Sequence, residues 1–305
     1  MSMQTRIINF MGLRNIAIGL TLLFTLVGLG SLAVKGLNFG LDFTGGALVE
    51  LQYDQPAELD AIRGQLREAG YPDAVVQNFG ATTDVVVRIQ SEDASLGYEV
   101  AEALRKADTS KALEVKKVEF IGPQVGEELR DQGGIGMLLA MFGVMLYVVF
   151  RFQWKFAIGS LVTLLHDVII VLGVFAFFGW TFDLTVLAAI LAIIGYSLND
   201  TIVVYDRVRE NMRILRKADL IENINISTTQ TLLRTTATSV STLLAVLALL
   251  FFGGENLWGF AMALTIGVIV GTYSSVYVSS VFLIWANLTR EDLIPPQVEE
   301  VDETP

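Results

Sequence analysis

Six runs of apolar residues, each about as long as a bilayer's hydrocarbon is thick, constrain this chain more than anything else in it. They fall at about 14–34, 134–150, 157–179, 184–206, 235–252 and 259–286. A helix needs roughly 20 such residues to cross, and lipid offers no partner for an unpaired backbone group, so the runs predict six transmembrane helices. The last is longer than one perpendicular crossing requires and is expected to tilt or to extend past the bilayer. Composition agrees: 53% of the 305 residues are hydrophobic and 17% charged, with a mean hydropathy of +0.56. A soluble domain carries more charge.

Basic residues in short loops mark the cytoplasmic side. Arg6 and Arg14 precede the first run, and Arg151 and Lys155 separate the second from the third. Arg207, Arg209, Arg213, Arg216 and Lys217 follow the fourth, and Arg290 follows the sixth. The loops GWTFD (179–183) and GGENLW (253–258) have neither Lys nor Arg. Both termini are therefore expected in the cytoplasm. The first run, with SLA at 31–33, loosely resembles a secretory signal, but its apolar core of about 20 residues exceeds the usual signal core and reads as a retained anchor. With no cysteine, disulfides, thiol nucleophiles and Cys-metal sites are excluded.

The organisation expected is an N-terminus and first span over 1–35, a folded unit on the far side of the membrane over 36–133, spans two to six over 134–290, and an acidic cytoplasmic tail over 291–305. Residues 36–133 hold 18 Asp and Glu against 9 Lys and Arg, a net −9 of the chain's −11. That acidity argues against nucleic acid and anionic headgroups as partners. GALVELQY (46–53) reads as a strand, PAELDAIRGQLREAG (56–70) as a helix opened by Pro and closed by Gly. DAVVQNF (73–79) and DVVVRIQ (84–90) read as two strands joined by a turn, 94–107 as a second helix and ALEVKKVEF (112–120) as a last strand. The order β-α-β-β-α-β predicts a small α+β, ferredoxin-like sandwich. It has no His and no Ser-His-Asp set, so it reads as a binding or lever domain. GLNFGLDFTGG (36–46) lacks phosphate-loop spacing and reads as a tight connection to the membrane, and GPQVGEELRDQGG (122–134) reads as a second connection through which the domain moves.

Polar residues inside the spans carry the functional signal, because a charge in hydrocarbon costs about 2.5–3.5 kcal/mol on insertion scales. In the fourth span Asp200 lies six residues before Asp206, about 9 Å deeper at helical rise. Ser197 and Tyr196 share its face, and Asn199 adjoins it. The third span places His166 and Asp167 near its middle, and Ser160, Thr163 and Asp167 form a stripe at helical spacing. In the fifth, Ser227, Thr231, Arg234, Thr238 and Ser241 recur at four, three, four and three, a seam expected to face protein. Asp200 and Arg234, on consecutive helices, can share a depth. Desolvation favours a neutral carboxyl and a nearby guanidinium favours an ionised one, so an acid held between those pulls can exchange a proton if the guanidinium moves. Asp200 thus reads as a proton-binding site, with Arg234 as its partner or, alternatively, as a cation snorkelling to headgroups. His166 reads as a relay or as a satisfied packing residue, and Asp206 and Arg207 as interface anchors. On the sixth run Gly259, Ala263, Gly267, Gly271, Ser275 and Ser279 recur every four residues, a ridge that lets another helix approach closely.

Several stretches, GLDFTGG (40–46), VEFIGPQVGEEL (118–129), LLHDVII (164–170), IIGYSLNDTIVVYDRVREN (193–211) and TQTLLRT (229–235), stand in one order between the spans. On these the chain resembles, along nearly its whole length, the SecF line of the SecD/SecF family of bacterial protein-export membrane subunits, within the resistance-nodulation-division (RND) superfamily. The resemblance implies an inner-membrane, RND-type half that pairs with a SecD-like subunit bringing six further spans and a larger external domain. It implies protons as the coupling ion, no cofactor or metal, and work at the SecYEG channel, where the proton-motive force helps draw unfolded preprotein out on the periplasmic side. It also carries the family's proton-pathway acid and arginine onto Asp200 and Arg234, with Asn199, Ser197, Asp167 and His166 as supporting candidates. Where the family has FDR or SDR this chain has YDR (205–207), which leaves the mechanism unaffected.

Three other readings compete. Asp167 and Asp200 invite comparison with intramembrane aspartyl proteases, but HD and SLND stand where those enzymes carry Tyr-Asp and Gly-x-Gly-Asp, so no catalytic residues are expected. Half of an RND-type small-molecule or lipid exporter would share fold and proton site, since fold does not fix cargo. A passive scaffold would tolerate loss of Asp200.

Overall fold

The computed structural model describes residues 7–107, 113–215 and 217–293. Expectations for Arg6, Arg216 and the tail from 294 onward lie outside the described residues. A 3-10 turn (Phe10–Leu13), closed by Asn9 Oδ1 accepting from the Gly12 N–H, leads into α1 (Arg14–Lys35). β1 (Asn38–Phe39) and the one-turn α2 (Leu41–Thr44) come next. β2 (Gly46–Tyr53), α3 (Leu59–Glu68), β3 (Val75–Phe79), β4 (Ala81–Ile89), α4 (Leu96–Ala107) and β5 (Leu113–Ile121) build the small domain. The chain then runs through α5 (Pro123–Arg151), α6 (Trp154–Phe178), β6 (Thr181–Phe182), α7 (Leu184–Ile214), α8 (Leu220–Phe252), α9 (Glu255–Val276) and α10 (Val278–Trp285). Among the described residues, six helical stretches are long and apolar enough to cross a membrane, α9 and α10 together making the last.

In the domain, β2 pairs with β4 and β5, and β3 with β4, all antiparallel, in the order β3-β4-β2-β5. With α3 and α4 on one face this is the ferredoxin-like arrangement expected from the order of elements. Alternate residues of the central strands face the helices: Val49 lies opposite Val87 and Val118, and Val49, Leu51, Val85 and Val87 pack on Ile62, Leu66, Val100 and Leu104. The first domain helix starts later than Pro56 suggests. The Ala57 N–H donates to Thr82 O at 2.9 Å, which holds 56–57 against β4.

The membrane part departs from the expected boundaries in a consistent way: its helices outlast the apolar runs. α5 begins at Pro123, not near 134, so residues 122–134, expected to be a Gly-rich connection, are mostly the first turns of a continuous helix. Pro at its start and the Glu128–Gln132 side-chain bond, one turn apart, support those turns. α7 and α8 run on as polar helices past the apolar stretch, at the end away from the domain. The sixth run is broken at Tyr277 between α9 and α10. There the Ser275 and Ser279 hydroxyls donate back to Thr272 O and Ser275 O, a competition that bends helices.

α6, α7 and the sixth span are half buried within the chain, whereas α1, α5 and α8 bury only a thin stripe. Side chains added at Gly259, Gly267 and Gly271 would meet Val186, Ile193 and Ser197, so the small-residue ridge is occupied by the chain's own α7. The ridge therefore supplies no surface for a partner. A second close crossing had no sequence periodicity to announce it: α1 and α6 meet at Gly28 and Gly173, where a Cβ on Gly173 would overlap the Gly28 backbone.

Candidate functional site

Asp200 and Asp167, both expected from sequence, lie in very different surroundings. Asp167 is fully buried where α6, α7 and α9 converge. Its Oδ2 accepts from Ser274 Oγ at 2.9 Å and from Ser197 Oγ, and Oδ1 lies 2.9 Å from His166 Nδ1. Gly271 makes the convergence possible, since its Cα stands where a side chain would press on Ser197. The carboxyl is thus tied to all three helices. His166 Nε2, across the ring, is buried without a partner among the described residues. It faces an apolar groove of about 330 Å³ among α1, α6 and α10.

Asp200 sits one turn from Ser197 on α7 and is also buried, at 2% exposure, but its Oδ2 has no hydrogen-bond partner among the described residues. Arg234 on α8 is the cation whose charge reaches it. Among the described residues no ion pair joins the two, and the Arg234 side chain is exposed. Around Asp200 the three helices are pinned. Tyr196 O–H donates to Ser239 Oγ at 2.8 Å, and Ser239 in turn bonds Thr272 of α9. Further along, Asn211 Nδ2 donates to Ser227 Oγ and Gln230 Oε1, holding the polar ends of α7 and α8 together.

The other candidates divide. Ser197, Asp167 and His166 form one network, with Asp200 beside it. Asn199 is exposed and turned away, because consecutive residues on a helix point about 100° apart. The α8 seam splits: Ser227 and Thr231 are buried, whereas Arg234 and Ser241 face outward. Asp206 meets Arg151 Nη2 at 3.5 Å and Arg207 meets Glu210, both exposed pairs.

Sequence reading placed a tight connection at 36–46 but not the contacts that make the joint between domain and helices. β1 pairs in parallel with β6, and Gly40 N–H donates to Phe182 O at 2.8 Å. Asp42 Oδ2 accepts from the Leu184 N–H at 3.0 Å, so a residue from before the domain caps the helix that carries Asp200, beside that helix's own Asp183 cap. Arg88 of β4 reaches Phe39 O and Thr181 Oγ1, and Phe39, Phe43 and Phe182 cluster at 5.7–6.0 Å. Gly45 and Gly46 have φ of +65° and +113°, and a Cβ on either would strike backbone, Pro123 in one case and Ile89 in the other. The paired glycines were the available signal, but their packing partners lie far away in sequence.

Comparison with known proteins names this arrangement. A family model for the protein export membrane protein SecD/SecF, C-terminal, matches residues 99–289, and one for the SecD/SecF GG motif matches 30–57, the joint just described. The chain is 65% identical to a protein translocase subunit SecF from Pseudomonas aeruginosa over the full length of both, and 44% identical to one from Vibrio alginolyticus over 98% of this chain and 97% of that one. It also superposes with a TM-score of 0.85, at 38% identity, on the crystal structure of SecDF, a translocon-associated membrane protein from Thermus thermophilus. That match covers 94% of this chain and 40% of the longer SecDF chain. A SecDF structure in a super-membrane-facing form matches over the same shares with a TM-score of 0.69. With its spans, its glycine joint and its whole length accounted for, this multi-pass membrane chain belongs to the SecF protein translocase subunits of the SecD/SecF family.

Proposed function

We propose that this chain is one half of a proton-driven export motor. It pairs with a SecD-like subunit in the bacterial inner membrane and draws unfolded preprotein from the SecYEG channel at the expense of the proton-motive force. Both termini face the cytoplasm and the small domain faces the periplasm, as the basic loops favour. The observation that carries the reading is Asp200, an acid buried in a span with Oδ2 unpartnered and Arg234 near but unpaired. A structural acid would resemble Asp167, with its oxygens satisfied. In this reading Asp200 takes up and releases a proton as Arg234 withdraws and approaches. Asp167, hydrogen-bonded to three side chains, holds the helices in place. The different fits to two SecDF structures, at equal identity and coverage, support movement of this half during a cycle. The test is preprotein export into energised vesicles, with and without an uncoupler, for wild type and Asp200→Asn at matched expression. Export by the variant that still responds to the gradient as wild type does would exclude Asp200 from the coupling.

A further inference from the structure

The two edges of the domain sheet are not alike. β5 carries Glu114, Lys116, Lys117 and Glu119, charges of the kind that keep a sheet edge from pairing with another chain. β3, the opposite edge, reads Val-Val-Gln-Asn-Phe and carries no charge. Its backbone accepts a donor from outside the sheet: Arg63 Nη2 meets Val76 O at 2.9 Å, where the N–H of a further strand would stand. Backbone groups of alternate residues point the same way along a strand, so Asn78 offers its N–H and C=O on the same side as Val76.

A crevice runs past this edge, between the helix-free face of the sheet and the ends of the spans. Cavities of about 730, 290 and 520 Å³ follow one another along it, the first lined by Ala74 and Val75, the other two by Gln77, Asn78 and Phe79. At the far end Trp180 and Trp258, with rings 5.0 Å apart, form an aromatic wall. A strand of five residues is about 17 Å long, enough to follow β3 from the first cavity to the last.

We propose that the open edge of β3 and the crevice beside it take an extended segment of unfolded polypeptide as an added strand. Main-chain hydrogen bonds would give sequence-tolerant affinity, and every second side chain would enter the crevice. That chemistry suits a segment with no fold of its own, as the export reading above requires, and the inference rests on that reading. The net −9 of residues 36–133 favours segments flanked by Lys or Arg. Arg63, itself half exposed, is displaced when the strand arrives.

The test uses the full chain in lipid nanodiscs, a synthetic peptide of alternating Thr and Val flanked by Lys, and the same peptide interrupted by Pro. Amide hydrogen exchange is read with no proton gradient present. The uninterrupted peptide is expected to slow exchange at 75–79 several-fold, and the interrupted one to have no effect. Asn78→Pro, which removes an outward N–H, and Asn78→Lys, which installs the kind of charge β5 carries, are both expected to abolish the effect. Unchanged exchange at β2 and β4 would certify that each variant is folded. Absence of slowing in wild type, slowing elsewhere, slowing that survives both variants, or slowing that depends on protein concentration without peptide (pairing of two β3 edges) would each overturn the proposal. None of these outcomes touches the proton reading, which the uncoupler experiment tests alone.

Discussion

Asp200 and Asp167 show how one residue type meets two surroundings within a single bundle, one with an oxygen left unpartnered among the described residues and one tied to three side chains. Asp200→Asn keeps the shape and removes the titrating proton. It should insert and fold as wild type, because a neutral amide costs less in hydrocarbon than a carboxylate, yet lose the stimulation of export by the gradient. Asp200→Glu should keep part of it, and Arg234→Lys should fall below wild type because the planar fork is lost. Asp167→Ala would strand the buried Ser197 hydroxyl and a histidine nitrogen, each costing about 1–3 kcal/mol, while Ser274 Oγ keeps Gly271 O as an acceptor. A lower thermal midpoint in nanodiscs is therefore expected, whereas Asp200→Asn should leave the midpoint unchanged or raise it. A third acid acts at the opposite end of the molecule. Burial alone would raise the Asp292 carboxyl, but Lys155 Nζ at 2.7 Å, with the Thr289 N–H and hydroxyl, outweighs burial and holds it below its ordinary 3.8. Its contribution is complete above the ordinary value and is lost as pH falls through the lower folded one. Amide protection of 287–293 should accordingly collapse only in acid below 3.8, and Asp292→Asn should remove that dependence.

Between elements, close backbone approach does what side chains do elsewhere. Gly173→Ala must push α1 away from α6, since its new methyl would overlap the Gly28 backbone. An overpacking cost of about 1–3 kcal/mol is expected as a fall in thermal midpoint, with Gly28→Ala milder because its nearest neighbour is 3.2 Å away. The joint at β1 and β6 bears on how the domain moves. A lever swinging on Gly-rich connections would need them loose, yet one is a helix and the other is paired, capped and packed. Asn38 and Thr181 are register partners, and the chain has no native cysteine to interfere. Asn38→Cys with Thr181→Cys should form a disulfide readily and leave export intact, because the domain and α7 then move as one body. Loss of export on oxidation, regained on reduction, would show that the strands part during the cycle.

On the scale of the whole molecule, the outward face of α8 needs a cover. Arg234 and Ser241 are exposed beside Leu233 and Leu244, and an arginine facing lipid carries the insertion cost already described. The purified chain alone in liposomes should not support proton-driven export, whereas co-reconstitution with a SecD-like subunit should. A single cysteine at Ser241 should react with a membrane-permeant thiol reagent in the lone chain and be shielded in the pair. Equal reactivity in both would place the partner elsewhere.

The six crossings, the sheet domain and the buried acid were legible in sequence because each rests on a local rule: apolar length against bilayer thickness, alternation against pleat, and a short charged side chain too deep to snorkel. The boundaries of α5, α7 and α8 were not, because polar residues continue a helix once its apolar part is fixed in lipid. Nor could the spacing of Gly259 to Ser275 say which helix they meet; the spacing states that a helix comes close, and only packing shows it to be α7. Asp42 capping Leu184, Gly45 against Pro123 and Ser274 on Asp167 join residues that are distant in the chain. No periodicity records such pairs, because they exist only once the domain has folded back onto the ends of the spans. Tertiary structure alone made Asp167 an anchor and left Asp200 unpaired, since whether a buried carboxyl finds donors depends on which helices face it.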